Sequence, residues 1–308
     1  MTAAFILVLA LLLDISLGEP SNRYHPVAWL GKLISFQLKF SPGNGNTKQF
    51  VYGICMVLFT VVVITVPFYY ALSFLQNWNI IIYAIISAYL LKNTFSLRGL
   101  WSAVQKVKEC LMRDDIAGAR LEVNALVSRY TDDLNRRQLI SASIESCAEN
   151  LCDSFVAPLL YYAVFGLPGA VVYRIINTFD AMIGFHGRWE YTGKFAARLD
   201  DVVNYIPARI SSFLIVLASL YTGRAGNGWQ AIFREHKKTE SPNAGWTMSA
   251  MAGTLGIELE KEGAYRLGTG TVELSTSSVG RSQVIMLLSA AIWSLVIIIM
   301  EVVASVAR

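Results

Sequence analysis

Q-F-V-Y-G-I-C-M-V-L-F-T-V-V-V-I-T-V-P-F-Y-Y-A-L-S-F-L-Q-N-W-N-I-I-I-Y-A-I-I-S-A-Y-L-L, residues 49–91, contains no charged side chain. The 43 positions between Lys48 and Lys92 are about twice the roughly 20 residues that one bilayer crossing uses. They therefore predict a helical hairpin. Its arms fall at Val51–Leu75 and Ile80–Leu97, with Gln76-Asn77-Trp78-Asn79 as the turn and Trp78 at the level of the aromatic belt. Pro67 is expected to kink the first arm, its freed carbonyl being satisfied inside a bundle. A hairpin returns the chain to the side it left, and Lys32, Lys39, Lys48, Lys92 and Arg98 mark that side as cytoplasmic.

The whole chain agrees with this reading. It has 308 residues, 54% hydrophobic and 16% charged, with a mean hydropathy of +0.46, outside the range of soluble domains. The expectation is an all-α, polytopic helical membrane protein, a single membrane-embedded domain over 1–308. The net charge of +4 is spread along the chain, which excludes a nucleic-acid surface. Cys55, Cys110, Cys147 and Cys152 show no C-x-x-C spacing, so neither a zinc site nor a disulfide framework is expected. His25, His186 and His236 lie far apart, which argues against a histidine metal site.

Further membrane segments follow from the same reasoning. Residues 3–17 are apolar, with no Lys or Arg before them and no A-x-A cleavage site after them, so a retained segment is expected rather than a cleaved signal. Asp14, Glu19 and His25 stand at its boundary. Ser154–Tyr173 is an uncharged run of 20 residues interrupted by Gly166-Leu167-Pro168-Gly169, which leaves a plain crossing, a broken span and a re-entrant hairpin open. Residues 210–223 are short for a crossing and share that ambiguity. Ser282–Met300, bounded by Arg281 and Glu301, is a clear final span. Between these segments lie a helical, water-compatible region at 98–153 and polar loops at 174–209 and 224–281. Thr131 is expected to cap the helix that follows it, with Asp132 and Asp133 in the first turn.

That helix carries I-E-S-C-A-E-N-L-C-D-S-F-V-A-P, Ile144–Pro158. At about 100° per residue, Glu145, Glu149 and Asp153 share one sector of about 80°, while Ile144, Cys147, Ala148, Leu151 and Phe155 lie opposite. Each like-charged i,i+4 pair should cost about 0.2–0.5 kcal/mol. A metal ion, a cationic substrate group or arginines from elsewhere would offset that cost, and an ordinary solvated face is the competing explanation. Other polar groups sit beside membrane segments: Asn177 and Asp180 in N-T-F-D, then Asp200, Asp201, Asn204 and Arg209 in A-R-L-D-D-V-V-N-Y-I-P-A-R. Asp201 and Asn204 are placed on one helix face, with Pro207 ending the turn. Ser241–Gly245 (S-P-N-A-G) and the glycines at 263, 268 and 270 could cradle phosphate with backbone N–H groups, although such loops are more often turns. No P-loop, G-x-S-x-G or H-E-x-x-H motif occurs. Dispersed carboxylates and amides suit Mg²⁺ and phosphate, because Mg²⁺ takes one or two carboxylates plus phosphate oxygens and water. The residues alone thus point to chemistry on a phosphorylated substrate at a membrane surface.

Taken in order, Leu11–Ile34 (L-L-L-D-I-S-L-G-E-P…H-P-V-A-W-L-G-K-L-I), Ile144–Asp153, Asn177–Gly184, Ala197–Arg209 and Ser241–Gly256 (S-P-N-A-G-W…A-M-A-G-T-L-G) resemble the adenosylcobinamide-phosphate synthase family, CbiB or CobD, of cobalamin biosynthesis. The pattern covers about residues 8–270. This sequence departs from it at Ser128–Thr131, which reads S-R-Y-T for G-R-D-T, at Ser249, near which an acid is expected, and at Glu19, where Asp is usual.

The resemblance implies a multi-pass protein of a prokaryotic inner or plasma membrane with its active site facing the cytoplasm. It implies a ligase that joins adenosylcobyric acid to (R)-1-aminopropan-2-ol or its O-phosphate, with ATP as co-substrate and Mg²⁺ as cofactor. On this footing Glu145, Glu149, Asp153, Asp180 and Asp201 are the candidate catalytic acids, and Glu145, Glu149, Asp153 and Asp200 the candidate metal ligands. His25, Asn150, Asn177, Asn204, Arg209, Ser241 and Asn243 are the candidate substrate contacts. Membrane lipid, other late cobalamin-pathway membrane enzymes and further copies of the chain are the candidate macromolecular partners. Two rival functions stand beside this one: a non-enzymatic membrane sensor or assembly protein on the same scaffold, and a Mg²⁺-dependent membrane phosphotransferase of another family, whose compact D-x-x-D-G-x-x-A-R block is absent.

Overall fold

A computed structural model describes residues 2–21, 23–127 and 129–307. The described residues are all-α apart from one small hairpin. Among the described residues five helical stretches are long and apolar enough to cross a membrane: Asn46–Trp78, Ile80–Met112, Arg136–Ile183, Tyr205–Thr222 and Thr276–Ala307. Thr2–Leu17 is a shorter apolar helix. Two compact units divide the chain. One comprises Met1–Ser96, Ala157–Val203 and Val296–Arg308, the other Leu97–Val156 and Asn204–Leu295.

In the first unit, α1 (Thr2–Leu17), α2 (Pro26–Leu38), α3 (Asn46–Trp78) and α4 (Ile80–Lys92) precede α8 (Ala157–Ile183) and α9 (Glu190–Val203). The uncharged run folds as the hairpin α3–α4, but its turn is one residue, not four. Asn79 closes α3 by donating its backbone N–H to Leu75 and opens α4 by accepting at its side chain from Ile81 and Ile82. One asparagine that can serve both ends leaves residues 76–78 free to stay helical. α3 keeps helical backbone angles through Pro67. Leu30, Ile34, Met56, Val57, Ile175, Phe179, Ile183 and Ala196 form a buried apolar cluster in this unit.

α8 resolves the three-way choice left by the sequence. Gly166 has φ 68° and ψ −167°, outside the helical region and open to glycine. Beyond it the chain turns back, since the Tyr161 and Tyr173 rings stack with centroids 5.2 Å apart. In a straight helix residues 12 apart would be about 18 Å apart. The element is therefore a helical hairpin with arms 157–165 and 167–183, about 13 and 25 Å long at about 1.5 Å per residue. The tip is lipophilic, with Val164 and Phe165 exposed.

The second unit holds α5 (Leu97–Met112), α6 (Ile116–Asn124), α7 (Arg136–Leu151), α10 (Tyr205–Ala218), α11 (Ala225–Glu235) and α12 (Ala244–Leu255). It also holds the hairpin β1 (Glu258–Lys261) and β2 (Tyr265–Gly268). The strands pair antiparallel with Leu259 opposite Leu267, both fully buried, and Gly263 at φ 73° makes the turn. Gly263 therefore shapes a hairpin turn, and Gly268 ends β2. α13 (Thr276–Ala307) closes the chain.

The structure departs from three local expectations. α7 starts at Arg136, capped by Asn135 in a reciprocal box with Gln138; Thr131 is buried and donates its hydroxyl to the Arg120 carbonyl. Asn135 prevails because Gln138, three residues on, can return the bond to its N–H. Pro207 does not end a turn. It lies in the first turn of α10, where a missing N–H leaves no bond unmade. With α9 ending at Val203 and α10 starting at Tyr205, Asp201 and Asn204 do not share a helix face.

Candidate functional site

α7 is deeply buried along its middle: every residue from 139 to 148 is buried, including Glu145. The predicted apolar face of Ile144, Cys147, Ala148, Leu151 and Phe155 is fully enclosed. The acid at 145 lies on the opposite side yet is only 4% exposed. A buried carboxylate needs partners, and this one has three. Oε1 accepts from Ser141 Oγ at 2.6 Å, and Oε2 accepts from Tyr265 Oη at 3.0 Å and from Arg129 Nη2 at 3.1 Å. Ser141 Oγ in turn accepts the Glu260 backbone N–H at 2.7 Å. Burial, followed by the charge and hydrogen bond of Glu145, raises the Tyr265 phenol pKa; Glu149 raises it further and Arg129 opposes the shift. The phenol stays protonated as a donor.

Glu149 and Asn150, one turn on, are half-buried. Asn150 donates to the Ser146 carbonyl and hydroxyl at 3.0 and 2.9 Å. α7 then widens into a π turn, Cys152–Val156, whose Val156 carbonyl accepts from Trp293 Nε1 at 3.1 Å. Asp153 stands in this turn, so the regular 3.6-residue sector applies to Glu145 and Glu149 and breaks down at Asp153. Among the described residues no three His, Cys, Asp or Glu side chains form a group able to hold a metal.

The second unit also gathers Arg209, Asn243 and Ser241. Arg209 lies between two rings, its Cζ 3.6 Å from the Tyr205 centroid and 4.5 Å from that of Trp246. Its Nη1 donates to Asn243 Oδ1 at 2.7 Å and to the Tyr205 carbonyl at 2.8 Å. Ser241 Oγ accepts from the Asn243 N–H at 3.2 Å, shaping the entry to α12. The result is a stacked guanidinium in fixed orientation beside a helix N-terminus, an arrangement suited to anions. Asn204 is buried and accepts from Cys152 Sγ at 4.0 Å.

In the first unit, α8 and α9 bring Asn177 and Asp200 together, Nδ2 lying 3.4 Å from Oδ1. Arg174 Nη1 donates to Asn177 Oδ1 at 3.3 Å. Asp180, three residues after Asn177, folds over Gly184, whose missing Cβ leaves room for the carboxylate; Asp201 adjoins Asp200 on α9. His25 belongs to a different group in the same unit. Its Nδ1 accepts from Val27 N–H at 3.2 Å, which puts the ring proton on Nε2, 2.7 Å from Glu19 Oε2. The same Glu19 oxygen is 3.2 Å from the buried Lys92 Nζ. Burial alone would raise the Glu19 pKa, but hydrogen bonds from His25 and Ser96 and the charge of Lys92 outweigh it and bring it to about 2.

Sequence spacing missed Arg129, Ser141, Tyr265 and Lys92. Arg129 and Tyr265 are 16 and 120 residues from the acid they hold, separations that carry no local signal. Ser141 alone was legible, four residues before Glu145 on one helix face. Of the residues that depart from the family pattern, Ser128 lies outside the described residues, and Ser249 is fully buried in α12.

The fold and these groups define a class: an all-α, multi-pass membrane protein whose buried acidic centre is held by arginine, tyrosine and serine. A family profile described as CobD/Cbib protein matches residues 7–297. The chain is 45% identical, over 96% of its length and of the relative's, to the cobalamin biosynthesis protein CobD of Dehalococcoides mccartyi (strain CBDB1). It is 40% identical to the probable cobalamin biosynthesis protein CobD of Methanococcus maripaludis (strain C7), over 89% of its length and 92% of that relative's. For the protein of the same name from Methanothermobacter thermautotrophicus (strain Delta H) the identity is 39%, over 87% of this chain and 88% of the relative. No solved structure matches. The chain belongs to the CobD/CbiB family of cobalamin biosynthesis.

Proposed function

We propose that this protein is an adenosylcobinamide-phosphate synthase, which joins the carboxylate of adenosylcobyric acid to the amine of (R)-1-aminopropan-2-ol or its O-phosphate at the expense of ATP. The observation that carries the reading is the acid Glu149 on α7, one turn beyond the buried Glu145, in a chain that matches the family over nearly its full length. Carboxylate and ammonium do not condense unaided. Transfer of the ATP γ-phosphoryl group to the carboxylate gives an acyl phosphate and ADP; attack by the amine then forms the amide and releases phosphate.

The chain offers a group for each requirement. Glu149 and Asp153 would hold Mg²⁺ arriving with the nucleotide; their oxygens fit an ion that uses one or two carboxylates and completes its shell with phosphate and water. The ion would supply charge neutralisation at the phosphoryl group. Arg209, fixed between its rings, binds a phosphate oxygen, with Asn243 and the Ser241 loop keeping it in place. The set around Asn177, Asp180, Asp200 and Asp201 in the first unit is suited to holding an ammonium group such as that of the amine and to accepting its proton. Orientation of two bound reactants is worth up to about 7–11 kcal/mol of barrier when the geometry is close to attack. The basic residues around the α3–α4 hairpin favour the cytoplasmic side for this chemistry, where ATP is available.

The test is direct. Purified protein is incubated with adenosylcobyric acid, aminopropanol phosphate, ATP and Mg²⁺, and the amide and ADP are sought by mass. Both are expected, and Glu149→Gln should lose turnover while melting like the wild type. Corrinoid binding without any product, with either amine, would replace the enzyme by a sensor; full activity of Glu149→Gln would remove this acid from the chemistry.

A further inference from the structure

The hairpin of β1 and β2 is too small to persist by itself, since its strands are four residues each and an isolated two-stranded hairpin is marginal in water. Two of its polar ties to α7 are at the surface: Gln138 Nε2 to Glu262 at 2.8 Å and Arg137 to Glu258 at 3.4 Å. Two are enclosed. Glu260 N–H donates to Ser141 Oγ, and Tyr265 Oη donates to Glu145, the same carboxylate that receives Ser141 Oγ and Arg129 Nη2. One buried carboxylate therefore joins α7, the segment before it and the hairpin.

We propose that Glu145 is a positioning residue: its carboxylate docks the 258–268 hairpin and Arg129 onto α7, and so sets the backbone on which Glu149 is presented one turn later, rather than taking a metal or a substrate group itself. Three donors at 2.6–3.1 Å already occupy most of the acceptor sites of this carboxylate, and one of them, the Arg129 guanidinium, would repel a magnesium ion. Removing one partner of such a group leaves the other buried and unpaired, the expensive outcome. This division of roles also accounts for like charges placed four residues apart, because Arg129 offsets the inner one. The effect on turnover rests on the function proposed above; the docking does not.

Tyr265→Phe removes one donor without altering shape, and Glu145→Ala removes the acceptor. Full-length protein in nanodiscs is compared by hydrogen–deuterium exchange and by kinetics well below the melting point. We expect exchange over 258–268 to quicken by roughly tenfold or more in Tyr265→Phe, as loss of a hydrogen bond to a charged acceptor implies, and further in Glu145→Ala. kcat should fall several-fold in Tyr265→Phe with KM for the amine unchanged. Mn²⁺ bound per chain, counted by electron paramagnetic resonance, should be the same in both variants as in the wild type. Hairpin exchange at the wild-type rate in both variants would overturn the proposal, as would loss of a bound Mn²⁺ in Glu145→Ala alone. Quickened exchange with wild-type kcat and KM would reduce the dock to architecture and overturn its role in the reaction. If the wild type itself forms no amide, the functional reading fails, while the exchange and Mn²⁺ arms still decide what Glu145 does.

Discussion

Gly193 is where a single methyl group should do the most damage outside the acid centre. It sits in the first turn of α9, pressed against the Ile183 carbonyl and Gly184 N–H at the end of α8; a Cβ built there overlaps that carbonyl. Two effects compete in Gly193→Ala. Alanine in place of a helical glycine contributes about 0.5–1 kcal/mol. Overpacking against a neighbour that cannot rotate away costs about 1–3 kcal/mol. The net is a loss of about 0–2.5 kcal/mol, towards the upper end because the obstacle is backbone. At about 2–4 °C per kcal/mol, the melting temperature should drop by roughly 2–10 °C. α9 also carries Asp200, whose 3.4 Å contact with Asn177 would be lost by a shift of about 1 Å, so kcat should fall more than stability alone explains. Gly226→Ala is the control, since a Cβ there meets nothing within 4 Å and the same propensity gain should leave that variant equal to or slightly above the wild type. Thermal unfolding in detergent, with amide formation at a temperature where all three are folded, provides the readout. If Gly193→Ala melts at or above the wild type, as Gly226→Ala should, the close approach of α8 and α9 is wrong, and with it the placement of Asp200.

Other variants probe separate parts of the argument. Glu19 has a folded pKa of about 2 against an ordinary value of 4.5; a depressed acid stabilises the fold above its unfolded pKa and loses that contribution as pH falls from about 4.5 towards 2. Glu19→Gln should therefore flatten this part of the acid-unfolding profile relative to the wild type, and superimposable profiles would mean that the His25 and Lys92 contacts do not hold the charged form. Arg209→Lys keeps the charge but loses the stacked planar fork, so KM for the phosphate-bearing substrate should rise about tenfold with a smaller change in kcat; equal KM values would free Arg209 from substrate binding. Asn135→Ala breaks the cap of α7, which should cost about 1 kcal/mol and lower the melting temperature by about 2–4 °C, whereas Thr131→Ser, at the discarded cap position, should not.

How much of this was legible depended on the range of the interaction. The α3–α4 hairpin could be read from the charge gap alone, because a bilayer imposes its length on any apolar helix. The cap of α7 was legible in principle, as N-x-x-Q at 135–138, but threonine followed by two aspartates offered an equally familiar signal four residues earlier. The strands β1 and β2 alternate polar and apolar residues in E-L-E-K and Y-R-L-G, yet four residues are too few to distinguish a strand from a charged loop. The reversal at Gly166 was one of three readings, and the backbone angles of Gly166 with the stacking of Tyr161 on Tyr173 separate them. Groups that meet across long sequence distances, such as Arg129 and Tyr265 on Glu145, leave no trace in spacing.

The acids on α7 show why the remainder lay out of reach. From the sequence, two like charges four residues apart asked for a cation, and a metal, a substrate or an arginine would each have answered. The structure answers with Arg129 for the inner acid, and the answer differs between neighbours because their burial differs: Glu145 is enclosed and Glu149 half-buried. An enclosed carboxylate must be satisfied by the protein before any ligand arrives, or the fold bears the cost of an unpaired charge. A half-buried one keeps part of its surface towards solvent, where a ligand can reach it. The same residue type, repeated at helical spacing, thus divides into an anchor and a candidate ligand by depth alone, which a periodic pattern does not encode.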